Sequence, residues 1–538
     1  MKKLLLLFPL LLLYALWSLP ASRPVTVPPL PSREQLVLLP LDSRPVCTSL
    51  VKDLGTLVGT TIILPPKELL DNYQEPAKKE KLLLWLEKNN TAPAIISLDL
   101  LLQGGLLASR LGPPEEKWQK QVLSSLFQKQ GPHYEIFSVI PRQLVSDQLL
   151  PDRWYKYRLL DYSRLSHMEA LSSDPSISRA KAKIQVPDQV LGRYQQLFAS
   201  HQQLQYNLVA LSSAHKPITI GQDDGSPMGL PQLSAYNTAL RAQQLQKEPY
   251  ARLTWGADEL AALLLAKYKL AQSAYKPKVH LYFARPEDEA LYLPYMAAST
   301  GATLRAQLQL LGLQEANYKE ADFLIYISCG HDGYKPGKAQ ANELKALLQG
   351  PKPVALIDLT ANYTEQELLL PLLLEEAVPL HQLLAYAGWN TFSNSSGTVL
   401  AQGALTLLAQ RQLQEKGATC QELLAFQVQR LKILCTRLLD DYVYQKQLHA
   451  DLNTQLALRG YHSRQLDKEG ELVAEYLTDS HLQLQATKIL YTNLGRSPFY
   501  REGPKNYYLR HIAVEAVLPW DRTFEVEVQV NLEIGQQQ

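Results

Sequence analysis

Past residue 35 the chain alternates short apolar runs with longer stretches whose apolar residues recur at helical spacing. The runs are "EQLVLLPLDSRP", "TTIILPP", "APAIISLDLLLQGG", "HYEIFSVIPR", "KPITIGQDDG", "ARLTWGADE", "KVHLYFARP", "ADFLIYISCGHD", "KPVALIDLT" and "LLAYAGWNT". Each has the length and turn-forming borders of a strand. Several are apolar throughout rather than alternating, as strands buried on both faces are. Strands that alternate with helices predict an α/β protein with mainly parallel sheets.

The strands fall into two groups that part near "KYKLAQSAYKPK". Residues 36–274 read as a first α/β unit, barrel-like or an open parallel sheet, with a helical insertion over 141–214. Residues 275–410 read as a second, smaller doubly wound α/β layer, and residues 411–538 as C-terminal helices and paired strands. Within that last region "CQELLAFQVQRLKILCTRLLDDYVYQKQLHADL" has the period of one long helix, and "RHIAVEAVLPWDRTFEVEVQVNLEIG" alternates as paired strands do.

The start of the chain, "MKKLLLLFPLLLLYALWSLPAS", has a basic opening, an apolar run and small residues at Ala21 and Ser22. Residues 1–22 therefore read as a signal peptide or an N-terminal anchor, and 23–35 as a Pro-rich linker. The expected location is extracytoplasmic: secreted, periplasmic, or anchored by that segment. Membrane contact is expected only through the N-terminal segment, if it stays uncleaved.

Charge narrows the partners. Lys and Arg number 54 against 52 Asp and Glu, a net of +2, so no strong field exists to hold a polyanion and nucleic acid is not expected. The cysteines, Cys47, Cys329, Cys420 and Cys435, show no Cys-x-x-Cys spacing and are expected to be mostly free, buried thiols. Gly-x-Ser-x-Gly, His-Glu-x-x-His, Gly-x-Gly-x-x-Gly and Walker patterns are absent. Serine hydrolase, zinc protease and nucleotide-binding readings thus lack their local signatures, and neither a cofactor nor a metal is expected.

The chemistry concentrates just after the strands. There stand Asp42 and Arg44, Asp99, Arg142, Asp223 and Asp224, Arg285, His331 and Asp332, Asp358, Trp389 and Asn390. Ligands of parallel α/β folds bind outside the carboxyl ends of the strands. The adjacent pair Asp223 and Asp224 is the leading catalytic candidate. Two close carboxyl groups raise each other's pKa, which splits them into an acid and a base. A divalent-metal site for Mg²⁺ or Ca²⁺ and an Asx-turn are the alternatives. Asp42, Arg44, Asp99 and Arg110 are expected to line the cleft, with Trp389 and Asn390 gripping a sugar by ring face and amide. Asp258 and Glu259, opening an apolar helix, read first as capping residues. Asp440 and Asp441 lie late in a helix, against the dipole, and call for a partner: a metal, an arginine or a ligand. Trp520, Arg522 and Glu525 read as packing residues.

The motifs "PLDSRPV", "PPKELL", "SLDLLLQGGLLASR", "GQDDGSPMGL", "WGADELAALLLAK", "AYAGWNTFSNSSGT", "RLLDDYVYQ" and "LPWDRTFEV", in that order, resemble the bacterial domain-of-unknown-function family numbered 4127, from Leu36 to Glu525. That family has Asp-Asp-Arg-Pro where this chain has Asp42-Ser43-Arg44-Pro45, which leaves Asp42 and Arg44 as candidates. The Asp-Asp pair after a strand is also similar to that of barrel glycoside hydrolases acting on N-acetylhexosamines. That likeness implies that Asp223 holds the substrate's acetamido group and Asp224 serves as acid and base. The expected function is an exported glycoside hydrolase with a carbohydrate substrate. A non-catalytic glycan-binding envelope protein and a metal-dependent phosphoester hydrolase are the alternatives.

Overall fold

In a computed structural model that describes residues 19–128, 132–145 and 152–537, all ten apolar runs are strands. The N-terminal apolar segment, up to residue 18, lies outside the described residues. Among those described, no helix is long and apolar enough to cross a membrane.

The first sheet contains β2 (Glu34–Leu39), β3 (Thr60–Ile63), β4 (Ala94–Ser97), β5 (Tyr134–Ile140), β6 (Ile218–Gln222) and β7 (Ala251–Leu253). Every neighbouring pair is parallel, in the order β3-β2-β4-β5-β6-β7. The sheet is open, so the barrel-like form does not occur and the parallel-sheet alternative holds. The second sheet is built from β8 (Lys278–Phe283), β9 (Gln314–Glu315), β10 (Phe323–Gly330), β11 (Val354–Thr360) and β12 (Leu383–Ala387), parallel in the order β12-β11-β10-β8-β9. In both sheets the chain runs to one side of the first strand and then returns to the other. That reversal opens a crevice at the carboxyl ends.

The insertion between β5 and β6 is helical, with helices at Lys156–Leu171, Pro175–Ala182 and Asp188–Leu211. The Pro-rich stretch is not wholly a linker. β1 (Arg23–Val25) pairs antiparallel with β15 (Glu527–Gln537), which pairs with β14 (Lys505–Val517), itself paired with β13 (Tyr500–Glu502). Prolines are tolerated there because β1 is an edge strand. The long helix from Cys420 is helical to Leu458, but Leu438–Leu448 winds as a π-helix. Cys47, Cys329 and Cys435 are buried free thiols, and Cys420 is free and exposed.

What fixes the two sheets to each other is a shared helical layer. Helix Leu260–Ala271, "LAALLLAKYKLA", is apolar on nearly all sides, the pattern of a helix with no solvent face. It packs on helices Thr300–Leu311 and Phe392–Glu415, which serve the second sheet. Leu38, Leu264, Leu304, Ile325 and Leu405 thus belong to one continuous core.

β6 approaches the loop after β7 closely, and Gly221 is the reason it can. A methyl group there would stand 2.4 Å from the Gly256 carbonyl oxygen and 2.6 Å from Leu260 Cδ1. Gly221→Ala is therefore expected to cost roughly 1–3 kcal/mol by overpacking. Thermal melting checks this, and an unchanged Tm would show that the two backbones do not need this contact.

Candidate active site

β6 ends at Gln222, so Asp223 and Asp224 stand beyond the pleat and both face one cavity. That cavity lies between loops of the two sheets. The first sheet supplies Gln222 to Asp224 and Trp255 to Asp258. The second supplies Tyr295 to Ala297, together with Thr391, Ser393 and Asn394 at the start of helix Phe392–Glu415.

The Asp223 carboxylate is clamped. Arg110 donates to its Oδ2 from Nε at 2.7 Å and approaches from Nη2 at 2.6 Å, while the Asp224 amide donates to Oδ1 at 2.8 Å. Asp224 differs. Protein surrounds its carboxyl group, which nonetheless keeps access to the cavity. Burial, then the negative charge of Asp223, pushes its pKa up to about 7 against the pull of Arg110 and Arg142. One aspartate is thus charge-compensated and fixed, and its neighbour holds a proton near neutrality, the split that acid–base chemistry needs.

A second clamp stands behind them. Arg44 Nη2 lies 2.6 Å from Asp42 Oδ2 and 2.6 Å from Asp258 Oδ1, joining the loop after β2 to the loop after β7. Asp42, Cys47 and Asp258 form the one set of three close potential metal ligands found among the described residues. Arg44's guanidinium already supplies the positive charge between the two carboxylates, so this donor set does not fit a cation. Ser43 donates its backbone N–H to Asp71 at 2.8 Å, and its hydroxyl accepts from Trp520 Nε1 at 2.7 Å. Trp520 is buried, so its packing role holds, and Arg522 lies over Tyr73, Trp520 and Phe524. The C-terminal motif thereby covers the "PLDSRPV" loop.

Asp99 sits beneath the site. Its Oδ2 accepts the Val139 amide at 3.0 Å, its buried Oδ1 has no partner, and burial pushes its pKa up to about 7. Glu259 stands behind the lining residue Asn394: its Oε2 accepts from Asn394 Nδ2 at 2.7 Å, and burial pushes its pKa up to about 8. Asp258 and Glu259 are thus tied across the fold, to Arg44 and Asn394, rather than acting first as helix caps.

Of the residues expected from sequence, Asp223 and Asp224 line the cavity. Asp42, Arg44, Asp99 and Arg110 are not among the lining residues but stand behind those that are. Trp389 and Asn390 do not line it either. The Trp389 ring packs on the shared core with its indole nitrogen 3.4 Å from Thr398 Oγ1, and Asn390 donates to Asn394 Oδ1 at 2.8 Å. The partner sought for Asp440 and Asp441 is an arginine. Arg437 bonds Asp440 at 2.6 Å and Asp441 at 2.7 Å, and Asp441 also accepts the Gly388 amide at 2.9 Å.

Residues 36–529 match the sequence model of one family, described as "Protein of unknown function (DUF4127)". The chain belongs to that family. No curated protein and no solved structure matches the chain. Family membership therefore fixes a shared sequence pattern, and the chemistry has to be read from the residues themselves.

Sequence reasoning passed over Gln222, Asp71, Tyr295 and Tyr363. Gln222 and Asp71 each sit within or beside a quoted motif, and polarity at a strand end was the available signal for Gln222. The tyrosines gave no signal, because a left-handed backbone leaves no mark in a non-glycine residue. Tyr73, Tyr295, Tyr363 and Asn390 have φ of 51°, 63°, 57° and 50°, all in loops that follow strands.

Two outcomes follow from these charges. Arg110→Gln would leave a buried carboxylate uncompensated and is expected to cost roughly 3–5 kcal/mol in chemical denaturation. A loss under about 1 kcal/mol would mean that solvent screens the pair. Asp99 holds its proton more tightly folded than unfolded, so its contribution is complete at low pH and is lost as pH rises through about 7. Asp99→Asn should accordingly raise Tm at pH 8 relative to the wild type, with little change at pH 4. Equal differences at both pH values would remove the ionisation account.

Proposed function

We propose that the protein is an exported glycoside hydrolase that acts on envelope or extracellular glycan, with Asp224 as its general acid and base. The observation that carries the reading is the unequal pair on one cavity wall. Asp223 is fixed by Arg110, whereas Asp224 is protonated near neutrality and open to the ligand space.

In the first step the Asp224 carboxyl group gives its proton to the glycosidic oxygen as the C1–O bond breaks. The Asp223 carboxylate faces the positive charge that develops at C1. In an N-acetylhexosaminide the substrate's own acetamido oxygen closes on C1 at this stage. Water then adds to C1, breaking the C1–O bond to the acetamido oxygen where that has closed, and gives its proton to the Asp224 carboxylate, which restores the starting state. Met296, Ala297 and Trp255 on the cavity wall lower the polarity around the proton transfer.

Asp224→Asn keeps the shape and removes the proton, so turnover should fall roughly 10²–10⁴-fold. The loss should be larger for alkyl than for aryl glycosides, whose leaving group needs less protonation. The wild-type rate should decline as pH rises through about 7, where Asp224 loses its proton. A screen of chromogenic and natural glycosides checks all three. Full activity of the folded Asn variant, or no cleavage of any glycoside by the wild type, would sink the reading.

A further inference from the structure

Tyr295 and Tyr363 are large, exposed and held in a backbone conformation that disfavours both. Their φ values, 63° and 57°, lie in the left-handed region, where a bulky residue is strained. They keep 53% and 42% of their surface exposed, although a tyrosine gains by burying its ring. Strain of this kind persists where surrounding bonds over-determine the backbone, and it gathers at functional sites.

The surrounding bonds are present. The Tyr295 carbonyl accepts the Gly225 amide at 2.9 Å, which ties this turn to the residue just after Asp224. Beside Tyr363, Asn362 donates to Asp332 at 2.9 Å and to Glu367 at 2.9 Å, and the Ala361 amide donates to the Gly330 carbonyl at 2.8 Å. Both turns are therefore fixed while their rings are left outside. Tyr295 lines the cavity, and Tyr363 stands in the loop after β11, at the same carboxyl edge of the second sheet as the loop after β8 that carries Tyr295. Lys446 Nζ stands 5.0 Å from the centre of the Tyr363 ring and braces it from the π-helical segment.

We infer that Tyr295 and Tyr363 form an aromatic subsite for a second sugar ring, so that the ligand is an oligosaccharide rather than a single terminal sugar. A pyranose presents a C–H face that stacks on an aromatic ring and a hydroxyl rim that water or nearby polar groups satisfy. Tyr295 on the cavity wall and Tyr363 on the loop after β11 would hold the next unit of the chain. This inference rests on the carbohydrate reading of the cavity and deepens it. The aromatic platform expected from Trp389 falls instead to two residues on β8 and β11 loops.

The test uses the full chain and four probes: N-acetylglucosamine, its β-1,4-linked trimer, glucose, and the β-1,4-linked glucose trimer. Calorimetric titration of the wild type should show one trimer binding at least about tenfold more tightly than its monomer, equivalent to about 1.4 kcal/mol. Tyr295→Ala combined with Tyr363→Ala should abolish that gain, and Phe at both positions should keep it. Tyr363→Gly gives a separate readout. Glycine adopts the left-handed region without strain, so Tm should hold or rise while the gain disappears. A fall in Tm would mark the tyrosine as structural and overturn the assignment. So would a gain that survives the double Ala variant, or a wild type that binds neither trimer better than its monomer. Binding with the expected chain-length gain but without hydrolysis would sink the Asp224 mechanism and leave the subsite standing.

Discussion

Charge compensation at the carboxyl ends of the first sheet is the constraint on which the site depends. Asp42, Asp71, Asp99, Asp223, Asp224 and Asp258 crowd the ends of strands that are themselves buried on both faces. Isolated ionised carboxylates in such surroundings are strongly unfavourable. Two guanidinium groups answer this in different ways. Arg44 spans Asp42 and Asp258, so one cation serves two anions from separate loops, while Arg110 is committed to Asp223 alone. Burial drives Asp71, Asp99 and Asp224 toward the protonated form, and Asp258 too despite its bond to Arg44. The raised pKa of Asp224 thus follows from its burial and from the charge of its neighbour Asp223.

The same economy joins the two sheets. Glu259 lies where a Cβ on Gly256 or Gly397 would collide with it, so two glycines make room for one acid. It meets Asn394 of the helix after β12, while Gln307 of the helix after β8 bonds both Glu259 at 3.3 Å and the Ser393 carbonyl at 2.9 Å. This polar patch sits in a layer that is otherwise leucine and alanine. An apolar helix layer alone could slide, since dispersion contacts are non-directional. Directional bonds at one point set the register of the second sheet against the first, and with it the width of the cavity.

The strands were legible because buried parallel strands write themselves as unbroken apolar runs, and all ten runs proved to be strands. The open sheet was not distinguishable from a barrel, since closure depends on the pairing of β3 and β7 and neither carries a mark of being an edge. The pair Asp223 and Asp224 was visible as like charges after a strand. Its partner Arg110 was visible only as a residue, because the pairing spans 113 positions. Trp389 drew attention as an aromatic beside amides, yet its ring turned toward the core. The π-winding of Leu438–Leu448 leaves the apolar period of the segment almost unchanged, so the helix was read correctly and its local geometry was not.

The pairing of Arg23, Pro24 and Val25 with Gln536, Gly535 and Ile534 joins the two ends of the described chain in one sheet. A tether attached ahead of residue 19 would not pull on a loose leader. It would load the edge of the C-terminal sheet, whose β15 packs against helix Cys420–Arg437, and so act on the body of the fold. The first unit would then be joined to such a tether by way of the last strand as well as the first. A force applied at Arg23 is therefore a force applied to the C-terminal sheet.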